Sequence, residues 1–310
     1  MTLVINMMSI DVEDWFQVHN LSKVISYRQW DLLELRVRTN TARILKLLDK
    51  HRTKATFFVL GWLAERLPHL VSDIAGEGHE IACHGYSHRL LTSMTPGELD
   101  AELANALAIL RETSGQPVSG FRAPSFSVTR HTLWSYEIMA KHGIKYDSSV
   151  FPIGFHPDYG IRHAPLTAYR ATDTIVELPV GCAQILGCRV PCSGGGYFRI
   201  FPYAVTRQLM QRCNSEGRPV VFYVHPWEFD PGQPRMHLPR LKQIRHYTNL
   251  HRTTTRFDRL LGDFDFGSIQ ENLVLTQEHA EPALVACSAT RQMPKAQMFP
   301  RPSQVFAVRL

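Results

Sequence analysis

The sequence predicts an α/β protein in which parallel strands form a barrel of the (β/α) kind, followed by a C-terminal extension. Three observations carry this expectation. Short apolar runs alternate with amphipathic helical stretches, the pattern of a mostly parallel sheet. Seven such runs read as strands. The residues able to do chemistry (Asp11, the His84/His88 pair, Arg122, Asp147 and His225) fall at or just past the ends of these runs. A barrel gathers its active groups at the C-terminal ends of its strands.

The expected strands cover residues 3–11, 55–60, 80–83, 120–122, 145–147, 175–180 and 220–225. Between the first two, Thr39-Asn-Thr41 precedes a helical spacing of Ala42, Leu45 and Leu48 that is expected to end near His51. Thr95-Pro-Gly-Glu98 is a capping box with proline at the first helical position, and Gly115 ends the helix that follows. The stretch 131–142 reads as a helix closing on Gly143. The barrel is expected over 1–228 and a basic extension packed on it over 229–275, opening with the Asp230-Pro-Gly-Gln-Pro234 loop. Over 276–310 the pattern fades into Pro, Gln and Ala, and a disordered tail is expected.

The chain is long enough for one large domain or two small ones. An apolar fraction of 44% and a charged fraction of 20% describe an ordinary globular protein. Met1-Thr-Leu-Val-Ile-Asn-Met-Met8 lacks a basic region and a small-residue cleavage site and runs into Asp11, so it reads as a core strand rather than a signal peptide. No apolar run approaches the length that crosses a bilayer. The six cysteines form no CxxC pair. Cys182, Cys188 and Cys192 lie close enough to suggest a second metal site, but scattered reduced thiols are the better reading, with Cys83 and Cys182 packed as small apolar groups.

The net charge of +6 is concentrated late in the chain. Arg235, Arg240, Lys242, Arg245, Arg252, Arg256 and Arg259 face only Asp258. Such a stretch suits an anionic polymer, a lipid phosphate or a membrane surface; a solvated helical face with local pairing is the slightly favoured reading. No nucleic-acid module accompanies it, so DNA and RNA are not expected partners.

In His84-Gly-Tyr-Ser-His88, two imidazoles about one helical turn apart can reach one cation from one side. A carboxylate cluster, Asp11, Glu13 and Asp14, follows the first strand. Two histidines and one carboxylate, with positions left open for water, form the usual ligand set of a hydrolytic metal site. Strand alternation puts Ser9, Asp11 and Glu13 on one face, with Ile10 and Val12 on the other. Arg122 can fork onto a carboxylate and so orient Asp11. His225, delivered by an apolar strand that Pro226 stops, is well placed as a general acid. Asp147 can hold the tautomer of His225 or cap a turn.

Asp11 with Glu13 and Asp14, His84-Gly-Tyr-Ser-His88, Arg122-Ala-Pro124, Asp147-Ser-Ser149 and His225-Pro-Trp227 resemble the ordered motifs of the polysaccharide deacetylases of the NodB-homology type, carbohydrate esterase family 4. Asp11-Val-Glu-Asp-Trp-Phe16, Gly194-Gly-Gly-Tyr-Phe-Arg199 and His246-Tyr-Thr-Asn-Leu-His-Arg-Thr253 resemble the branch found with exosortase and exopolysaccharide loci, which carries a C-terminal extension. The resemblance runs from about residue 3 to 267. It implies an incomplete (β/α)7-type barrel and an N-deacetylase acting on N-acetylhexosamine units of a polysaccharide or its lipid-linked precursor. It also implies a divalent cation, expected as zinc, on His84 and His88, with Asp11 as base, Arg122 orienting it and His225 as acid. A backbone N–H near Phe126 would help hold the oxyanion, and Trp15, Phe126, Tyr197 and Trp227 would offer stacking faces to sugar rings.

The sequence departs from the family at one point: Val12 stands where the family has a second aspartate. The metal carboxylate is then Glu13, which shares the inward face, or Asp14, which matches by residue type. Asp14 is preferred, because the strand is expected to bend there. The implied partners are an N-acetylated polysaccharide or oligosaccharide and membrane-associated polysaccharide synthesis machinery. The expected location is cytoplasmic, at the inner face of the membrane. Two other functions compete, an allantoinase-like amidohydrolase acting on a small amide and a non-catalytic glycan-binding or assembly protein.

Overall fold

The computed structural model describes residues 4–154, 156 and 159–277. In chain order its strands are β1 (Asn6–Val12), β2 (Thr56–Val59), β3 (Glu80–Cys83), β4 (Gly120–Phe121), β5 (Tyr146–Asp147), β6 (Tyr169–Arg170), β7 (Val176–Glu177), β8 (Cys182–Ile185), β9 (Cys188–Pro191), β10 (Val221–Val224) and β11 (Phe266–Gly267). All seven expected strands form, as β1 to β5, β7 and β10. They line up in the order β10-β1-β2-β3-β4-β5-β7, parallel throughout. The ladder is not continuous between β7 and β10. There a single bridge joins Val180 to Val221, with Gly181 N donating to Val221 O at 3.2 Å. The barrel is therefore an incomplete one of the (β/α)7 type.

β1 is buried on both faces, as a parallel strand flanked by helices must be. Its even side chains Met8, Ile10 and Val12 pack outward into the core shared with the helices, while Met7 faces inward beside Phe58, Ala82, Tyr146, Val176 and Val221. Each large apolar side chain in that inner layer contributes about 1.5–3 kcal/mol by leaving water. The same alternation carries Ser9, Asp11 and Glu13 up the inner face.

The helices are α1 (Val37–Lys50), α2 (Gly61–Arg66), α3 (Pro68–Gly76), α4 (Pro96–Ser114), α5 (Ser135–Lys141), α6 (Gly195–Ile200), α7 (Tyr203–Ser215), α8 (Arg240–Tyr247), α9 (Leu250–Asp263) and α10 (Ile269–Gln277). The capping box of α4 forms, with Glu98 N donating to Thr95 Oγ1 and Thr95 N to Glu98 Oε2. Gly115 closes this helix at φ 64°. α1 begins at Val37 rather than after Thr41, because the carboxylate of Asp14 accepts from Arg36 N at 2.7 Å and Val37 N at 2.9 Å. A distant side chain thus satisfies amides that a helix start leaves bare.

β6, the β8–β9 hairpin and β11 were not anticipated. Strands of two residues carry no readable periodicity, and the hairpin turns on Leu186 and Gly187, both at positive φ. The extension is built into the barrel: β11 pairs with β1, and Ile269 of α10 joins the inner core. α9 buries Leu250, Phe257, Leu260 and Leu261. Arg256 of the basic stretch is spent internally, its Nη1 donating to the carbonyls of Phe198, Arg199 and Phe201. Cys182, Cys188 and Cys192 do not converge: Cys188 is exposed, whereas Cys192 Sγ lies 4.0 Å from Cys213 Sγ in the interior. The tail expected at 276–310 lies, apart from the end of α10, outside the described residues.

Candidate metal centre and active site

The His84/His88 pair sits in a tight loop after β3, not on a helix. Gly85 and His88 adopt left-handed conformations, φ 76° and 54°, and these reversals fold the loop so that both rings face inward. Glycine is favoured at 85 by this backbone conformation, not by crowding, since a Cβ there would make only ordinary contacts with Glu102 and Pro124. The first amides of α2 hold the loop, with Gly61 N donating to Gly85 O and Trp62 N to Tyr86 O.

Both His84 Nε2 and His88 Nε2 converge on one oxygen, Glu13 Oε1, at 3.1 and 3.0 Å. His84 Nδ1 must donate to Arg122 O at 2.8 Å, since a carbonyl only accepts. With Nδ1 committed as a donor, Nε2 faces the carboxylate oxygen either as a lone pair with a cation between them or as the N–H of an imidazolium. Without a cation, only the imidazolium makes the contact favourable. The ligand atoms of the three residues all lie within 4.8 Å of one another and are buried. Second-sphere bonding of the other ring nitrogen to a carbonyl is the usual way a metal-binding histidine is oriented. The residues present therefore fit a divalent cation. Burial on its own would raise the Glu13 pKa, but the neighbouring His88 and His225 and hydrogen bonds from His84 and His88 hold it well below its ordinary value.

The preference for Asp14 as the metal carboxylate does not agree with this geometry. Asp14 accepts from Trp15 N as well as from Arg36 N and Val37 N, so its oxygens are committed to backbone amides. Strand alternation continues one residue past β1 and delivers Glu13 to the histidines instead.

Arg122, fully buried at the end of β4, donates from Nη1 to Asp11 Oδ1 at 2.6 Å and to Ser9 Oγ at 2.8 Å. Its Nε and Nη2 bind the carbonyl and hydroxyl of Ser148, so the guanidinium has no freedom to swing. Asp11 Oδ2 lies 3.8 Å from His225 Nε2.

His225 follows β10. Its Nδ1 lies 3.0 Å from Glu228 Oε2, and Glu228 Oε1 accepts from Arg199 Nε at 2.5 Å. Burial favours the neutral ring, yet Glu13, Glu228 and Asp11 raise the His225 pKa to about 9. For Glu228, burial is outweighed by Arg199 and His225, and its pKa falls to about 2. The orienting carboxylate is therefore Glu228, not Asp147. Asp147 pairs across the sheet with Glu177, and its Oδ1 accepts from Ser149 Oγ, which in turn accepts from Ala123 N. It braces the turn after Arg122 and does not reach His225. Sequence reading missed Glu228 and Arg199, although His225-Pro-Trp-Glu228 has the i, i+3 spacing of a capping box.

Above these groups lies an open cavity. Phe126 and Trp227 line it, Trp227 stacking on His225 with ring centroids 5.3 Å apart. Trp15 and Tyr197 are not among the lining residues. The Phe126 amide is not free for an oxyanion, since it donates to Ala123 O at 3.0 Å.

Fold and site together define a (β/α)7-barrel protein with a two-histidine, one-carboxylate cluster beside a separate carboxylate and imidazole. Residues 28–146 match the family profile described as polysaccharide deacetylase, and residues 148–274 match one described as a domain of unknown function, DUF3473. The chain thus carries a polysaccharide deacetylase domain of the NodB-homology type over 28–146, followed by a DUF3473 region. A peptidoglycan deacetylase of Helicobacter pylori is 32% identical over 117 residues, 38% of this chain and 39% of that one. A peptidoglycan-N-acetylglucosamine deacetylase of Bacillus cereus is 37% identical over 98 residues, 31% of this chain and 36% of that one. A chitooligosaccharide deacetylase of Bradyrhizobium is 32% identical over 101 residues, 32% of this chain and 43% of that one. The chain thus spans about two fifths of the length of these relatives. A solved Mycobacterium smegmatis structure assigned as a polysaccharide deacetylase shares the fold, with a TM-score of 0.58, 21% identity and coverage of 95% of this chain and 97% of that one.

Proposed function

We propose that this protein is a metal-dependent N-deacetylase that removes acetyl groups from N-acetylhexosamine units of a polysaccharide or its lipid-linked precursor. One observation carries the reading: the Glu13–His84–His88 cluster lies beside both the Asp11–Arg122 pair and the His225–Glu228 pair at one end of the barrel. The names of the relatives, deacetylases of peptidoglycan and chitooligosaccharide, support the acetamide substrate.

A divalent cation held by Glu13, His84 and His88, zinc in our reading of a histidine-rich set, would supply Lewis acidity toward water and the acetamide carbonyl. The chain's own groups move the protons. Asp11, with Oδ1 held by Arg122, takes a proton from the attacking water through Oδ2. His225, protonated and fixed through Nδ1 by Glu228, gives its Nε2 proton to the nitrogen as the C–N bond breaks. The products are acetate and a free sugar amine, and Asp11 and His225 then exchange protons with solvent.

The test is acetate release from an N-acetylglucosamine tetramer, by enzyme as purified and after removal of metal by chelator. Loss on chelation and recovery on adding zinc are expected. Full turnover in stripped enzyme overturns the metal role, and absence of acetate release from every N-acetylated sugar overturns the activity.

A further inference from the structure

One wall of the cavity carries a cation that the chemistry above does not use. Arg199 also lines this space, but its charge is balanced by Glu228 and its remaining donors go to the carbonyls of Arg245, His246 and Thr248. Arg245 differs. It comes from α8, next to His246, whose ring stacks on Trp227 at 4.5 Å; Trp227 in turn stacks on His225. The wall of the site is thus tied to the acid through successive rings.

Arg245 Nη1 donates to His156 Nε2 at 2.7 Å, and its Nη2 to Tyr159 Oη at 3.3 Å. A guanidinium cannot accept, so His156 presents an unprotonated Nε2. Both partners are neutral. Among the described residues, no Asp or Glu forms an ion pair with Arg245. Among the described residues, nothing else takes its Nε or the second hydrogen on each terminal nitrogen, while two bonds fix the plane of the group. A permanently charged, half-buried fork aimed along a substrate cavity is built to take an oxyanion.

We propose that Arg245 is a specificity determinant that binds a carboxylate or phosphate carried by the substrate close to the N-acetylhexosamine being deacetylated. The enzyme would then favour an acidic glycan over a neutral one. This rests on the deacetylase reading above. Arg240 and Lys242 stand on the same helix.

The experiment compares kcat/KM of the metal-loaded full chain on a neutral N-acetylglucosamine tetramer, a hyaluronan tetrasaccharide and UDP-N-acetylglucosamine. The second supplies carboxylates and the third a diphosphate, so the two arms separate the sources of the anion. At least one anionic substrate is expected to lead the neutral one by about tenfold or more, the scale of one charge-assisted hydrogen bond. In Arg245→Met that ratio should fall towards one through KM, whereas Arg245→Lys should keep part of it. Added salt should erode it in the wild type alone. Equal ratios in wild type and Arg245→Met, or a wild-type preference for the neutral tetramer, overturn the proposal. If no substrate loses acetate, the deacetylase reading fails separately. Calorimetric binding of hyaluronan tetrasaccharide then still decides on Arg245: weaker binding by the Met variant supports it, and equal binding overturns it. Circular dichroism confirms that both variants fold.

Discussion

Glu228 Oε2 lies 3.0 Å from His225 Nδ1, so a carboxylate three residues downstream sets which ring nitrogen of the histidine faces the cavity. Glu228 is itself anchored by Arg199 at 2.5 Å, and both members of that pair are almost fully buried. Replacing Glu228 by Gln keeps the shape but removes the charge that favours the imidazolium. We expect kcat to fall by about one to two orders of magnitude, within the range of acid–base assistance. The alkaline limb of the pH–rate profile should move to lower pH. Leaving Arg199 without its counter-charge should also cost about 3 kcal/mol of stability, read from denaturant unfolding.

Glu13 and Asp14 are adjacent, and they separate two functions that one mutation each can distinguish. Glu13→Gln should lose bound metal, measured as metal per protein after dialysis, while remaining folded. Asp14→Asn should retain the metal and lose about 1–2 kcal/mol, because it weakens the cap on α1. A folded Asp14→Asn protein without metal would reverse the assignment.

Asp11→Asn should leave metal content unchanged and reduce kcat by roughly 10²–10⁴-fold, the usual contribution of a positioned base. Arg122 stays bonded to the amide oxygen but loses its buried counter-charge, so stability should also fall by about 3 kcal/mol, read from denaturant unfolding.

In metal-stripped protein the His225 pKa stands near 9, raised above its ordinary value of 6.5 against burial by Glu13, Glu228 and Asp11. The folded state therefore holds this proton more tightly than the unfolded chain. That contribution to stability is fully present below pH 6.5 and is lost as pH rises through about 9. Unfolding free energy measured over this window should decline in the wild type and decline less in His225→Gln. Parallel curves for the two proteins would exclude His225 as the source.

The legible part of the site followed strand ends and alternation. Asp11 and Glu13 share a face because side chains alternate, and Arg122 and His225 are delivered by short apolar runs. Asp14 was misjudged for a reason absent from its own neighbourhood: its partners are the amides of Arg36 and Val37. For Asp147, the turn-bracing alternative is the one that forms, through Ser149 two residues on, and the carboxylate that meets His225 is Glu228.

By itself, the sequence determined the seven parallel strands of the barrel, the barrel class and which residue types reach its C-terminal end. These follow from periodicities of two and 3.6 residues, which are local. Only the tertiary structure decided which carboxylate meets the two histidines, which one holds His225, and that Arg245 of the extension lines the same cavity. The physical reason is that a carboxylate's role depends on the donors around it. In Asp14, Glu13 and Glu228 those donors are respectively backbone amides, imidazoles, and an imidazole paired with a buried arginine, and all but a few come from distant parts of the chain.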